Sequence, residues 1–177
     1  MRQSLNQLVG LTLAVARRAA NIRVFHFGSM RPAAKSDLPS LRDKPRGSIG
    51  DFALHIQCPW RIETNKSILT GDSDLWEPLD RSKGLSYDNW NDDTDGNLQD
   101  QLIEQFMSHN DNLIVKNVDC RPNCTFTLTF AGDYRLIVFP SGSTGEDWRL
   151  FRPESDESHF VVFGGAIECE DSRDPSP

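Results

Sequence analysis

From Phe52 to Glu63 apolar and polar positions alternate without a break. Phe52, Leu54, Ile56, Cys58, Trp60 and Ile62 are apolar, whereas Ala53, His55, Gln57, Pro59, Arg61 and Glu63 are small, polar or charged, the proline apart. Side chains along a strand point to opposite faces with a period of two, so the pattern predicts one long, half-buried β-strand. Pro59 cannot donate to a ladder and marks a sheet edge or a bulge at mid-strand. A different period governs the N-terminus. Leu5, Leu8, Val9, Thr12, Ala16 and Ala19 recur at helical spacing, which predicts an amphipathic helix over residues 3–20. An Arg-rich, acid-free helix also matches a transit peptide, but this one runs directly into Ile22–Phe27, a strand pattern, as an ordinary first helix would.

Residues 29–50 hold Pro32, Pro39, Pro45, Gly47 and Gly50 without periodicity and read as a long loop. Residues 52–70 read as a hairpin turning at Asn65-Lys66. After an irregular stretch from Gly71 to Gly96, Leu98, Leu102, Ile103 and Phe106 mark a short helix that Asn97 or Asp95 can cap. Strand patterns follow at 113–118, 125–130, 134–139, 148–151 and 159–163, with Ala131-Gly132-Asp133 as a hairpin turn and Ser141–Gly145 as another hairpin connection. Short turns exclude parallel neighbours. The sum is a single α+β domain over 1–167. It has an antiparallel sheet of about six to eight strands, with the N-terminal helix and a second short helix on one face. Residues 168–177 read as a disordered acidic tail.

Composition narrows the functional classes. The 177 residues are 37% hydrophobic with ten Phe and four Trp, enough for a packed core. The net charge is −7, yet residues 1–36 carry six basic and no acidic side chains, which leaves −13 on the remainder. Nucleic acid would repel such a body, and Leu8–Ala16 is too short and interrupted to span a bilayer. Cys58 falls on the apolar face of the long strand; Cys120 and Cys124 flank a turn without the second ligand pair that zinc needs. Reduced thiols are the default reading.

The segments Phe25-His26-Phe27-Gly28, Ala53-Leu54-His55-Ile56-Gln57-Cys58-Pro59-Trp60-Arg61-Ile62 and Asp74-Leu75-Trp76 carry a resemblance, as does Trp148-Arg149-Leu150-Phe151-Arg152-Pro153 with His159-Phe160-Val161-Val162. On these the chain resembles a family of uncharacterised bacterial proteins. The resemblance implies a cytoplasmic protein whose first helix belongs to the mature domain; it implies no activity and no site residue.

Candidate chemistry is sparse. The polar face of the long strand offers His55, Gln57, Arg61 and Glu63 as a row of donors and acceptors, either a recognition strip or a solvated sheet face. Asn91, Asp93 and Asp95, with Gly96, match the first half of a calcium loop, but the twelfth position is Leu102 where a bidentate glutamate belongs. No nucleophile elbow, zinc-protease helix or phosphate loop occurs in the sequence, and no cofactor is expected. Three readings follow. The favoured one is a small acidic protein-binding module, immunity-like or accessory, steered to a partner with a basic surface. The second is a hydrolase-like enzyme pairing His55 with an acid of the 72–95 loop. The third is a weak divalent-metal module.

Overall fold

The structure, a computed structural model, describes residues 1–34, 47–80, 82, 84, 89–92 and 94–170, the side chains of Cys169 and Glu170 aside. It is an α+β arrangement dominated by two antiparallel sheets. The chain opens with helix α1 (Arg2–Leu5), tightened into a 3-10 turn over Asn6–Leu8. Strands β1 (Leu13–Ala19), β2 (Ile22–Phe27), β5 (Phe52–Ile56), β11 (Glu146–Phe151), β12 (His159–Phe163) and β13 (Ala166–Glu170) form a six-stranded sheet in that order. The second sheet runs β7 (Ile68–Gly71), β6 (Trp60–Glu63), β10 (Arg135–Val138), β9 (Phe126–Phe130) and β8 (Val115–Cys120). A small ribbon pairs β3 (Arg31–Pro32) with β4 (Ser48–Ile49) inside the stretch read as loop; residues 35–46 of that stretch lie outside the described residues. Helix α2 (Leu98–Ser108) follows the 71–96 stretch, with the Asn97 side chain accepting the Asp100 N–H at its start.

The long alternating run serves two strands in two sheets rather than one strand in one. β5 belongs to the six-stranded sheet and β6 to the five-stranded one, and Gln57-Cys58-Pro59 is the corner between them. The Gln57 and Cys58 N–H groups both donate to the Asp147 carbonyl, at 2.8 and 3.0 Å, and the Pro59 carbonyl accepts from Phe139 N. Proline fits here because the chain is leaving one ladder and has no N–H to waste. The register survives the corner: Phe52, Leu54, Ile56, Cys58, Trp60 and Ile62 are all buried. Of the alternate positions only Ala53 is fully buried. Because the two sheets share one core, both inner faces stay apolar through the bend. Trp148 of β11 meets Phe126 of β9 edge-on at 4.8 Å, Phe25 of β2 meets Trp60 of β6 at 5.7 Å, and the Trp148 indole N–H donates to the Cys124 carbonyl.

The helix expected over residues 3–20 is mostly strand. Gly10 adopts φ +87°, a left-handed conformation that ends the helical turn. Residues 13–19 then pair along β2 through the tight turn at Ala20-Asn21. Alanine and arginine are good helix formers, but pairing with the strong β-former run Ile22–Phe27 overrides that weak local preference. What remains helical is anchored: Leu5 and Leu8 are fully buried in the core. Two further expectations shift. Residues 141–145 carry the chain from one sheet to the other instead of closing a hairpin. Residues 168–170, read as tail, belong to β13, which pairs with β12; residues 171–177 lie outside the described residues.

Packing at the corner gives a direct test. Trp60 is 3% exposed, and truncating a large buried aromatic costs about 3–5 kcal/mol. Trp60→Ala should therefore lower the urea-unfolding free energy by that amount, whereas Gln57→Ala, on the exposed side of the same run, should cost under ~1 kcal/mol. Comparable losses for the two variants would contradict the assignment of faces.

Candidate functional site

The corner divides the row His55, Gln57, Arg61 and Glu63 between two surfaces. His55 sits on the outer face of the six-stranded sheet, opposite Val24 on β2 and Arg149 on β11. Its ring meets Phe151 edge-on at 4.8 Å, and Phe151 in turn stacks on His159 at 4.4 Å. Gln57, just past the end of β5, hydrogen-bonds Glu146. Glu146 grips Arg149 through both oxygens: Arg149 Nε donates to Oε1 at 2.7 Å, and Nη2 donates to Oε2. Arg149 Nη1 lies 3.2 Å from His159 Nδ1. Burial, and next the Arg149 charge, depress His55 from 6.5 to about 4. Burial alone would raise Glu146, but its bonds from Arg149 outweigh that and hold it below the ordinary carboxylate range. On the same sheet His26 accepts the Gly50 N–H on Nδ1 at 3.2 Å and is also depressed, by burial and by Arg17.

Arg61 and Glu63 stand on β6. There Glu63 bridges two cations: Arg61 Nε at 2.6 Å and Arg135 Nη2 of the neighbouring β10 at 2.8 Å. This is a cross-strand ion-pair cluster that fixes the sheet's surface, apart from His55.

The chemistry open to the His55 face is limited. The main charges acting on His55 are those of Arg149, His26, Glu146 and His159. Three described acids of the 72–95 loop are engaged elsewhere: Asp74 accepts from Thr70 Oγ1 and the Gly71 N–H, Asp92 pairs with Arg18 at 2.8 Å, and Asp95 accepts the Asn91 N–H. The acid that acts on His55 is Glu146, which is itself bound by Arg149. Burial also raises every described thiol, Cys58 to about 12 and Cys120 and Cys124 in the same direction, which leaves no reactive thiolate among them. Of the calcium-loop candidates, Asn91 and Asp95 close a turn on each other, since the Asn91 side chain also accepts the Thr94 N–H. Asp93 lies outside the described residues. No group of three or more His, Cys, Asp or Glu among the described residues could hold a metal ion.

The residues that build a binding surface are ones the helical reading of the N-terminus concealed. β1 is an edge strand among the described residues: its ladder partner is β2, and on its other side Thr12 bridges to Ile114 and the Leu13 N–H donates to the Leu113 carbonyl at 2.9 Å, with no described strand beside Ala14–Ala19. Beside the remaining edge runs α2, and between them lies a groove of about 780 Å³. Ala14, Val15, Ala16, Arg17 and Arg18 line it consecutively. A strand face would supply alternate residues, so an unbroken run means that the groove follows the strand's edge. Ala14, Ala16 and Ala20 keep this wall low; Ile103 and Met107 make the opposite wall apolar.

α2 is held at this distance by polar bonds. Gln99 is buried, donates to the Gly71 and Asp72 carbonyls at 2.9 and 3.2 Å, and accepts from Arg23 Nη2. Asp100 accepts from Arg23 Nη2 at 2.8 Å, from Arg18 Nε at 2.9 Å and from Asn97 Nδ2 at 2.7 Å. Burial would raise Asp100, but these donors outweigh it and depress its pKa. Arg18 and Arg23 of the basic N-terminal segment are thus neutralised by Asp92 and Asp100, far from them in sequence. The sequence signals that could have exposed this edge were Gly10 as a helix stop, the β-branched Val9, Thr12 and Val15, and the Ala20-Asn21 turn.

No family model, curated protein or solved structure matches the chain. No described helix is long and apolar enough to cross a membrane.

The depressed groups set a pH dependence. His55 is at about 4 in the fold against an ordinary 6.5, so between these values the unfolded chain takes up a proton that the folded chain does not. Stability should fall as pH drops through that window, and His26 adds to the slope in the same direction. The stabilisation from Glu146 and Asp100 is complete above the ordinary carboxylate range and is lost at still lower pH, as each takes up its proton in the fold. Denaturant titrations between pH ~7 and ~4.5 should show a shallower slope for His55→Gln than for the parent. An identical slope would mean that His55 is not held neutral by the fold.

Proposed function

We propose that the chain is a protein-binding module that takes an extended segment of its partner onto the edge of β1 that no described strand covers, beside α2. The observation that carries this reading is this strand edge with a helix standing off from it. An edge presents unpaired N–H and C=O groups that serve as a template for another strand. Strand addition gives affinity through main-chain hydrogen bonds and specificity through side-chain pockets, and a groove of several hundred Å³ has the capacity for such side chains. The alanines of β1 leave room for the incoming backbone, and Ile103 and Met107 offer apolar contact. The net −7 of the chain supports a partner whose surface around the docked segment is basic, since opposite charge speeds encounter.

An enzymatic role draws no comparable support: the acid acting on His55, Glu146, is itself bound by Arg149, and burial raises the described thiols. The metal reading rests on a half-loop whose described members bond each other.

Ser108, exposed in the last turn of α2, lines the groove without entering the core, so Ser108→Trp should fill it and spare the fold. Peptides selected from a displayed random octapeptide library should bind the parent and lose at least ~10-fold in affinity, about 1.4 kcal/mol, against Ser108→Trp of unchanged melting temperature. In hydrogen exchange, bound peptide should protect the amides of residues 14–18. Selected peptides that bind both proteins alike and protect some other segment would refute the reading.

A further inference from the structure

The outer face of the five-stranded sheet carries a second concavity that shares no residue with the groove beside β1. It is a trough of about 430 Å³ that follows β9 between β8 and β10. Strand register fixes its floor and walls. Phe126, Leu128 and Phe130 are buried in the core, so Thr125, Thr127 and Thr129 point outward. Thr127 pairs with Asp119 on one side and Ile137 on the other, and Thr129 pairs with Arg135. The Arg121 N–H donates to the Thr125 carbonyl, which sets Arg121 on the same face at the end of β8. Threonine is short and arginine long, so the middle strand forms a floor between taller neighbours. The polar groups here are largely uncommitted. Among the described residues, the three threonine hydroxyls and the exposed Arg121 guanidinium make no hydrogen bond or ion pair. Asp119, also exposed, accepts from Asn117 Nδ2 at 2.8 Å. Arg135 shares Glu63 with Arg61. With Arg121 and Asp119 included, three guanidinium groups meet two carboxylates, which leaves this face cationic on a chain of net −7.

We infer that this trough binds a small hydroxylated oxyanion, of the kind a sugar phosphate or a sugar acid presents, with its anionic group on Arg121 and its hydroxyls along the threonine row. A guanidinium offers a planar fork of donors that fits phosphate and carboxylate alike. A threonine hydroxyl both donates and accepts, and the Asp119 carboxylate only accepts, so the set matches a ligand with several hydroxyl groups. Residues two apart on a strand stand about 7 Å apart, a span that one sugar-sized molecule covers. Charge decides among such ligands. Phe126 borders the trough, but its ring is 1% exposed, so it gives a neutral sugar no face to stack on. The attraction that remains is that of the unpaired guanidinium for an anion.

The test uses the full chain, with the methyl groups of Thr127 and Thr129 followed by carbon–proton NMR during titration with four probes: glucose 6-phosphate, glucuronate, glucose and inorganic phosphate. At least one of the two anionic sugars should shift both methyls, with a dissociation constant of about 1 mM or tighter and at least ~10-fold below those of glucose and inorganic phosphate. Which of the two binds tells phosphate from carboxylate. Arg121→Gln should weaken that ligand about tenfold and Thr127→Val by about fivefold, both at unchanged melting temperature, since neither side chain enters the core. Arg31→Gln removes the same charge from the β3–β4 ribbon, outside the trough, and should leave the affinity as it is. Should Thr127→Val unfold, the contrast between Arg121→Gln and Arg31→Gln decides alone. Glucose or inorganic phosphate binding as tightly as the anionic sugars would overturn the inference. So would equal losses for Arg31→Gln and Arg121→Gln, or methyls that do not move up to ~10 mM ligand. None of these results touches the strand-addition reading, which concerns another surface.

Discussion

The structure turns on a single bend. At Gln57-Cys58-Pro59 the chain leaves one sheet and enters the other while keeping its apolar side chains on the inside. Asp147 holds that bend: its carbonyl accepts from Gln57 and Cys58, and its side chain, almost wholly buried, accepts the Gly165 N–H of the β12–β13 turn at 2.8 Å. The pairing of β11 with β12 shifts register at this residue, as a bulge would. An extra residue in β11 thus frees a carbonyl for the corner. Without the bend the two inner faces could not share one core, and Trp60 and Trp148 would lose the ring contacts that join the sheets.

A second constraint places α2. A helix lying on the edges of two sheets could settle against either, and apolar contact through Ile103 and Phe106 is not directional. Direction comes from Gln99 and Asp100, which bond to the backbone after β7 on one side and to arginines of β1 and β2 on the other. The buried Gln99 and the half-exposed Asp100 act together as a spacer, since Gln99 must keep its partners or stand unsatisfied. The groove beside β1 is a consequence of that spacing.

Legibility differed between the fold and the site. The capped helix at 98–108, the Gly132-Asp133 turn and the inward face of residues 52–62 could all be read directly, because each depends on neighbours a few positions apart. The N-terminal strand was hidden by a coincidence of spacing: Leu5 and Leu8 are buried as the helical pattern requires, but the alanines and arginines beyond Gly10 obey a ladder with β2 instead. His55 and Gln57 were rightly seen as one side of a run, yet their companions are Glu146, Arg149 and His159, some ninety to a hundred positions away, and not Arg61 and Glu63.

What the chain determined by itself was therefore its periodicity: an α+β composition, antiparallel pairing through short turns, and a core of Phe, Trp and branched aliphatic residues. Period-two alternation states which side chains face inward but not which sheet they face inward from, since a corner preserves the alternation while changing every cross-strand neighbour. Tertiary structure alone decided that the core lies between two large sheets, that Arg18 and Arg23 meet Asp100, and that β1 has no described strand along its outer edge. Each of these depends on contacts between residues distant in the chain, whose closure is governed by packing and polar satisfaction over the whole molecule, beyond the reach of any local pattern.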